Sequence, residues 1–242
     1  MTVPKHHFPE MGERALIVGQ TGSGKTAFAC HLLHSLKFAP FIIYDTKEEE
    51  KFDALERSTV VHNEEEKRKA LSDEEIDFVI YRPDLDVTVD SEAMDNLLLT
   101  HYNEHHNIGA YLDEAYSFHN GGRAGTGLTG LLTRGRSRGI TSIISTQRPA
   151  LISRFCISEA QKHFIFRLTD MKDKKRIGDF VPDFAELSDP PRFGYWRYSV
   201  GDDAPQKFDA VPLVMVKETA YSPAPLPAAQ SADDDKPKRK WI

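Results

Sequence analysis

The sequence predicts a doubly wound α/β domain, and three observations predict it. Short apolar runs of strand length alternate with longer segments whose apolar residues recur at helical spacing. A glycine-rich turn separates the first such run from the first such helix, and several later runs end abruptly in acidic or polar residues. Strands that alternate with helices need crossover connections, which make the sheet mostly parallel and cover both of its faces.

The elements follow in order. Residues 15–18 of "ERALIVGQ" read as a buried strand, and "KTAFACHLLHSLKF" sets Phe28, Leu32, Leu33 and Leu36 on one side of a helix. "FIIYD" (41–45) is a second buried strand and "KEEEKFDALE" a charged, exposed helical segment. "STVVHN" and "DFVIYRP" read as strands on either side of "EEEKRKALSDEE", which has helical composition. "SEAMDNLLLTHYNEHH" is a helix with Ser91 in the N-cap position. A strand "GAYLDE", a loop "NGGRAGTG", a helix "LTGLLTRGRSR" and a strand "TSIISTQ" come next. After them, "ISEAQKH" reads as a helix, "FIFRL" as a strand and "DMKDKKRIGDFV" as a helix. "LSDPPRFGYWRYS" reads as an antiparallel hairpin around Gly194 that closes the sheet.

The 242 residues suit one domain of about 200 residues with short extensions. We expect an N-terminal arm at 1–12, the domain at 13–221, and a tail at 222–242 whose Pro, Ala and Asp content cannot offset its ordering entropy. No internal repeat is visible. Cys30 and Cys156 are too far apart in sequence for a metal pair or a disulfide framework, which suits a reducing compartment. No apolar run reaches the roughly 18 residues of a membrane span, and no secretory leader is read at the N-terminus, so a soluble protein is expected. A formal charge of −6 argues against a surface that coats nucleic acid broadly, and leaves room for local grips at "TRGRSRG", "KDKKR" and "KPKRKW".

The chemistry concentrates in "GQTGSGKT", which fits G-x-x-x-x-G-K-[ST] at every fixed position and stands between a strand and a helix, as that loop requires. Its glycines let the N–H groups of Gly19, Gln20, Thr21, Gly22, Ser23 and Gly24 turn inward, and the helix N-terminus adds partial positive charge to the same concavity. Lys25 then reaches the β- and γ-phosphates of ATP, and the Thr26 hydroxyl ligates the accompanying Mg²⁺. About ninety residues on, "IGAYLDE" places Asp113 to hold the Mg²⁺ through water and Glu114 to orient or deprotonate the attacking water. "TSIISTQRP" ends a strand in Gln147, placed to sense the γ-phosphate, because ligands in such sheets sit at the strand ends.

Together, "GQTGSGKT", the strand end "YDTK", "YLDEA" and "STQRP" resemble the FtsK/HerA superfamily of DNA-pumping ATPases, over about residues 13–168. Within it the chain is similar to the genome-packaging ATPases of tailless, internal-membrane, double-stranded DNA viruses. The resemblance implies a RecA-like (ASCE) P-loop fold and a homo-oligomeric ring, pentamer or hexamer, that threads duplex DNA without regard to sequence. It also implies docking on capsid vertex proteins, indirect membrane association at most, and residence in the host cytoplasm and at the packaging vertex of the virion. Asp113, Glu114 and Gln147 match its metal-holding, catalytic and sensor positions.

The superfamily also uses an arginine from the neighbouring subunit. Arg134, Arg136, Arg138 and Arg148 are the candidates, with Arg136 and Arg138 as the leading pair. The function expected is ATP hydrolysis coupled to packaging of viral DNA into a preformed capsid. A plasmid-transfer or filamentous-phage-type export ATPase would be expected to carry a membrane span, and none is read here. A nucleotide-dependent switch or scaffold has little use for Glu114, and a small-molecule kinase would show an acceptor lid.

Overall fold

The computed structural model describes residues 7–36, 40–120 and 123–211. The strands are β1 (Arg14–Val18), β2 (Phe41–Tyr44), β3 (Ser58–Val61), β4 (Phe78–Tyr81), β5 (Gly109–Leu112), β6 (His119–Asn120), β7 (Arg123–Ala124), β8 (Ser142–Thr146), β9 (Lys162–Ile165), β10 (Tyr195–Ser199) and β11 (Gln206–Phe208). The helices are α1 (Lys25–Ser35), α2 (Glu50–Asp53), α3 (Glu64–Leu71), α4 (Leu85–Val89), α5 (Ser91–Glu104), α6 (Thr126–Arg134), α7 (Arg154–Ser158) and α8 (Met171–Gly178). Nine strands form one sheet in the order β11-β10-β9-β1-β8-β5-β2-β4-β3. All pairings from β9 to β3 are parallel; β10 and β11 are antiparallel to their neighbours. This is the α/β class with a mostly parallel sheet flanked by helices.

The side-chain period of two divides the sheet between two cores. Leu16, Val18, Ile42, Tyr44, Ala110, Leu112 and Ile144 face Met94 and Leu98 of α5 and Leu128, Leu131 and Leu132 of α6. Ala15, Ile17, Phe41, Ile43, Tyr111, Ile143 and Phe164 face Phe28, Leu32 and Leu33 of α1 and Phe52 of α2. Register then sets the end of the sheet that matters: Val18 stands opposite both Thr146 and Ile165, and Leu112 opposite Ile144 and Tyr44. The turns that leave β1, β8, β5 and β2 therefore emerge side by side.

Several expectations need correction in detail. The helix expected to be capped by Ser91 is capped by Asp90, whose carboxylate accepts from the N–H groups of Glu92 (2.9 Å) and Ala93 (3.2 Å); Ser91 is the first helical residue. Helix α4 went unread because "LDVTV" shows no apolar period, and none of its residues is buried. The helix expected over "ISEAQKH" lies earlier, capped at Ser153, and the strand expected over "FIFRL" starts at Lys162, where pairing with β1 begins. The loop "NGGRAGTG" contributes to a two-strand hairpin, β6–β7. Antiparallel closure does occur, but Gly194 opens β10, and the partner in the hairpin is β11, reached through Gly201 at φ +100°.

Residues 7–12, expected as an arm, lie against the domain: the His7 ring nitrogen pairs with Tyr195 OH (2.9 Å) and Gly12 N donates to Thr141 Oγ1 (2.8 Å). The tail at 222–242 lies outside the described residues. No helix among the described residues is long and apolar enough to cross a membrane. Cys30 and Cys156 are buried free thiols, both pushed up to about 12 by burial.

Helices α5 and α6 approach each other across Gly127, where an added Cβ would overlap Asp95 O and stand 2.5 Å from Leu99 N, both backbone atoms. Asp95 also caps α6, accepting from Gly127 N (2.9 Å) and Leu128 N (2.8 Å). Gly127→Ala is expected to destabilise the domain by about 1–3 kcal/mol through overpacking, read as a lowered urea midpoint at unchanged slope.

Candidate active site

Between Val18 and Lys25 the chain makes the turn that the motif requires. Gly24, the N-cap of α1, has φ +104°, a conformation that β-carbon sterics make rare for other residues, and no side chain caps the helix there. The first N–H groups of α1 are thus left for an anion. Gly19 is needed for another reason: a Cβ would meet Phe166 Cβ at 2.5 Å and Ser23 Oγ at 2.7 Å. Ser23 Oγ is buried and has no hydrogen-bond partner among the described residues.

Lys25 is only 8 % exposed, and its ammonium rests on the loop's own carbonyls, Gly19 O at 2.7 Å and Gln20 O at 3.2 Å. Burial pulls its pKa down to about 8, against the opposing pull of Glu114. Carbonyl oxygens are weaker partners for an ammonium than phosphate oxygens, so an anion entering this turn could take their place. Thr26 is half-buried in the first turn of α1. Thr21 Oγ1 donates to Gln147 Oε1 at 2.5 Å, which joins the loop to the end of β8.

Asp113 and Glu114 leave β5 in the space next to this turn. Asp113 is 6 % exposed, its side chain is met by Tyr111 OH at 3.4 Å, and burial pushes its pKa up to about 7 with Lys47 opposing. A buried carboxylate with so little hydrogen bonding fits a divalent cation, as does the hydroxyl of Thr26, because both are hard oxygen donors. Glu114 takes a left-handed backbone, φ +55°, and its carboxylate is held on both sides. Lys47 Nζ lies 2.8 Å from Oε2, while Thr146 Oγ1 donates to Oε1 at 2.8 Å. The contact to Lys47 was missed in the sequence, although "DTK" was singled out there as a family mark. Asp45 of the same stretch is buried, paired with Arg82 Nε at 2.9 Å, and accepts from Glu49 N.

The arginines divide. Arg148 is committed within its own chain to Asp170 and Asp173, at 3.0 Å each. Arg138 donates to Tyr102 O (2.5 Å) and Asn103 O (3.1 Å) at the end of α5 and covers the Tyr102 ring. Arg134 and Arg136 are exposed, and their side chains make no hydrogen bond or ion pair among the described residues. All three of the 134–138 group precede β8, beside Gly12 and Asn107, at the opposite end of the sheet from the phosphate loop. A five-residue strand spans about 17 Å, so none of them reaches its own chain's loop.

No family model matches the chain. The DNA packaging ATPase P9 of Enterobacteria phage PRD1 is 35% identical over 187 residues, 76% of this chain and 77% of that protein. The chain belongs to the FtsK/HerA-type family of genome-packaging P-loop ATPases. Solved structures agree on the fold. The packaging NTPase B204 of Sulfolobus turreted icosahedral virus 2, solved with AMP, superposes with a TM-score of 0.66 at 16% identity, over 83% of this chain and 98% of that one. VirB4 of Thermoanaerobacter pseudethanolicus gives 0.57 at 10% identity, over 82% of this chain and 90% of that one.

Glu114→Gln keeps the shape of the side chain and removes its carboxylate charge, and with it any capacity to act as a base. It is expected to retain ATP affinity and lower steady-state hydrolysis about 100-fold or more. Nucleotide titration beside phosphate release checks this, and loss of ATP binding would reassign Glu114 to a structural role.

Proposed function

We propose that this chain is an ATP-hydrolysing motor that drives double-stranded DNA into a preformed viral capsid. One observation carries the reading: a phosphate loop, a buried metal-fitting aspartate, a glutamate and a polar sensor all leave adjacent parallel strands at the same sheet end, in a packaging-ATPase family member. Thr26 and Asp113 would hold Mg²⁺, which when bound neutralises charge on the β- and γ-phosphates. Lys25 exchanges its two carbonyl partners for phosphate oxygens. Glu114, aimed by Lys47 and Thr146, orients the attacking water and takes its proton. Gln147, already bonded to Thr21, reports the γ-phosphate to β8.

Of the leading pair, Arg136 is the one left without a side-chain partner among the described residues and so able to act on a neighbouring subunit, since Arg138 secures the end of α5. A ring of such subunits, pentameric or hexameric, would grip duplex phosphates and no base edges, because a packaging motor must accept any sequence. It would work in the host cytoplasm at the vertex of the assembling virion.

The direct test measures ATP hydrolysis with and without duplex DNA. Stimulation by DNA of unrelated sequences is expected, and Lys25→Ala is expected to abolish turnover while the unfolding midpoint holds. Turnover at the parent rate in Lys25→Ala would remove the phosphate-loop assignment. Arg136→Ala is expected to lose about a thousandfold in rate with ATP binding intact, as arginine fingers do. Mixing it with Glu114→Gln should restore part of the activity, because one kind of junction then joins an intact glutamate to an intact arginine. Full basal turnover in Arg136→Ala would overturn the role in trans.

A further inference from the structure

The phosphate loop accounts for a triphosphate and leaves the base of the nucleotide without a seat. The turn at residues 191–194, just before β10, comes close to the loop from outside it. Gly194 N donates to Pro191 O at 2.9 Å, which closes a four-residue turn with Arg192 and Phe193 at its corners. Phe193, the third residue, has φ +62°, a region that bulky side chains avoid and that such turns ordinarily give to glycine or asparagine. A glycine does stand next to it, but Gly194 is needed where it is: a Cβ there would lie 2.6 Å from Pro191 Cγ and 2.7 Å from Phe208 O.

Burial does not compensate for this strain, because Phe193 is 44 % exposed and belongs to neither core. Strained backbone persists where its surroundings impose it, and it collects at ligand sites. The surroundings here are the phosphate loop. Phe193 Cδ1 and Cβ lie 3.3 and 3.5 Å from where a Cβ on Gly24 would be, and Gly24 is the residue at which the loop passes into α1. The guanidinium of Arg192 lies 4.8 Å from the centre of the Phe193 ring, and the Arg192 side chain makes no hydrogen bond or ion pair among the described residues. A planar group thus already rests on this ring, in an exposed contact weak enough to be exchanged for another.

We propose that Phe193 is the base-stacking wall of the nucleotide site: with the triphosphate seated in the loop at 19–26, the nucleobase lies on the ring face where Arg192 rests. This rests on the nucleotide reading of the loop. Only the ribose separates the base from the α-phosphate, so an aromatic ring beside the helix N-cap is within reach. Stacking is available to every base, so Phe193 favours a nucleoside triphosphate over bare polyphosphate without choosing strongly among bases.

The test titrates the full chain with ATP and, separately, with inorganic tripolyphosphate. The parent is expected to bind ATP more tightly. Phe193→Ala and Phe193→Leu should each weaken ATP binding about 5-fold or more and leave tripolyphosphate binding unchanged; the leucine keeps apolar bulk against Gly24 and removes only the π face. Phe193→Trp should keep the ATP affinity, and its added emission should change with ATP and not with tripolyphosphate. Parent-like ATP affinity in both the alanine and the leucine variants would overturn the proposal. An equal loss for both ligands would do so too, since it makes the ring a prop for the loop. A parent that binds the two ligands equally removes the base seat and leaves the phosphate site standing; a parent that binds neither removes both.

Discussion

Everything at this site depends on the parallel register of β1 with its neighbours. Because Val18 pairs with Thr146 while Leu112 pairs with Ile144, three chain segments from distant parts of the sequence reach the same end of the sheet together. A slip of one residue in any of them would move its side chains from one core to the other, into positions shaped for different volumes. The cores on both faces prevent that slip. Ile17 and Ile143 belong to the core under α1, and Leu16 and Ile144 to the core under α5 and α6. The energetic origin of the site geometry is therefore the two-sided apolar packing, expressed through register.

The charges at that end form a partly compensated set. Lys25 rests on carbonyls, Asp113 is buried with one long hydrogen bond, and Glu114 is balanced by Lys47. Burial lowers the pKa of Lys25 and raises that of Asp113, the same physical cause acting on opposite charges. Both shifts mean that the partners present do not make up for the water each charged form gives up on burial. Under the proposed function, an incoming polyphosphate with a divalent cation would supply one further partner to each, so that binding would gain from charges that folding left partly unsatisfied. Glu114 is different, since it is already held by a lysine and a threonine, and its backbone is held in a left-handed conformation. Its direction is fixed before any ligand arrives.

The sequence made the fold class and the principal site legible for an identifiable reason. Strand–turn–helix around "GQTGSGKT" is a local pattern, and the alternation of apolar runs is a pattern along the chain. What stayed illegible depends on contacts between distant residues. Lys47 and Glu114 are 67 positions apart, Arg82 and Asp45 are 37 apart, and nothing in either segment announces the pairing. The same limit applies to the arginines: "TRGRSRG" looks uniform as a string, and only the packing against Tyr102 separates Arg138 from Arg136. The cap at Asp90 was a choice between adjacent residues with equal capping ability, which the phase of the helix decided. Phe193 had no signal at all, because a left-handed phenylalanine reads in sequence as an ordinary strand aromatic.

The positions of these groups bear on how hydrolysis at one subunit could be felt by another. Under the proposed function, one end of the sheet holds everything that acts within a subunit, while Arg134 and Arg136 stand free at the other end, about a strand length away. A cation supplied across that distance must come from a second copy of the chain. The segment that carries it is short and well anchored: Gly135 O accepts from Ile140 N, Arg138 O accepts from Asn107 N, and Arg138 grips the end of α5. Movement of Arg136 toward or away from a neighbour's phosphate would therefore draw on β5, β8 and α5 together. These are the elements that carry or flank Asp113, Glu114 and Gln147 within the same subunit. Under the proposed function, the chemical state of one nucleotide would bias the next through the sheet that joins these two ends.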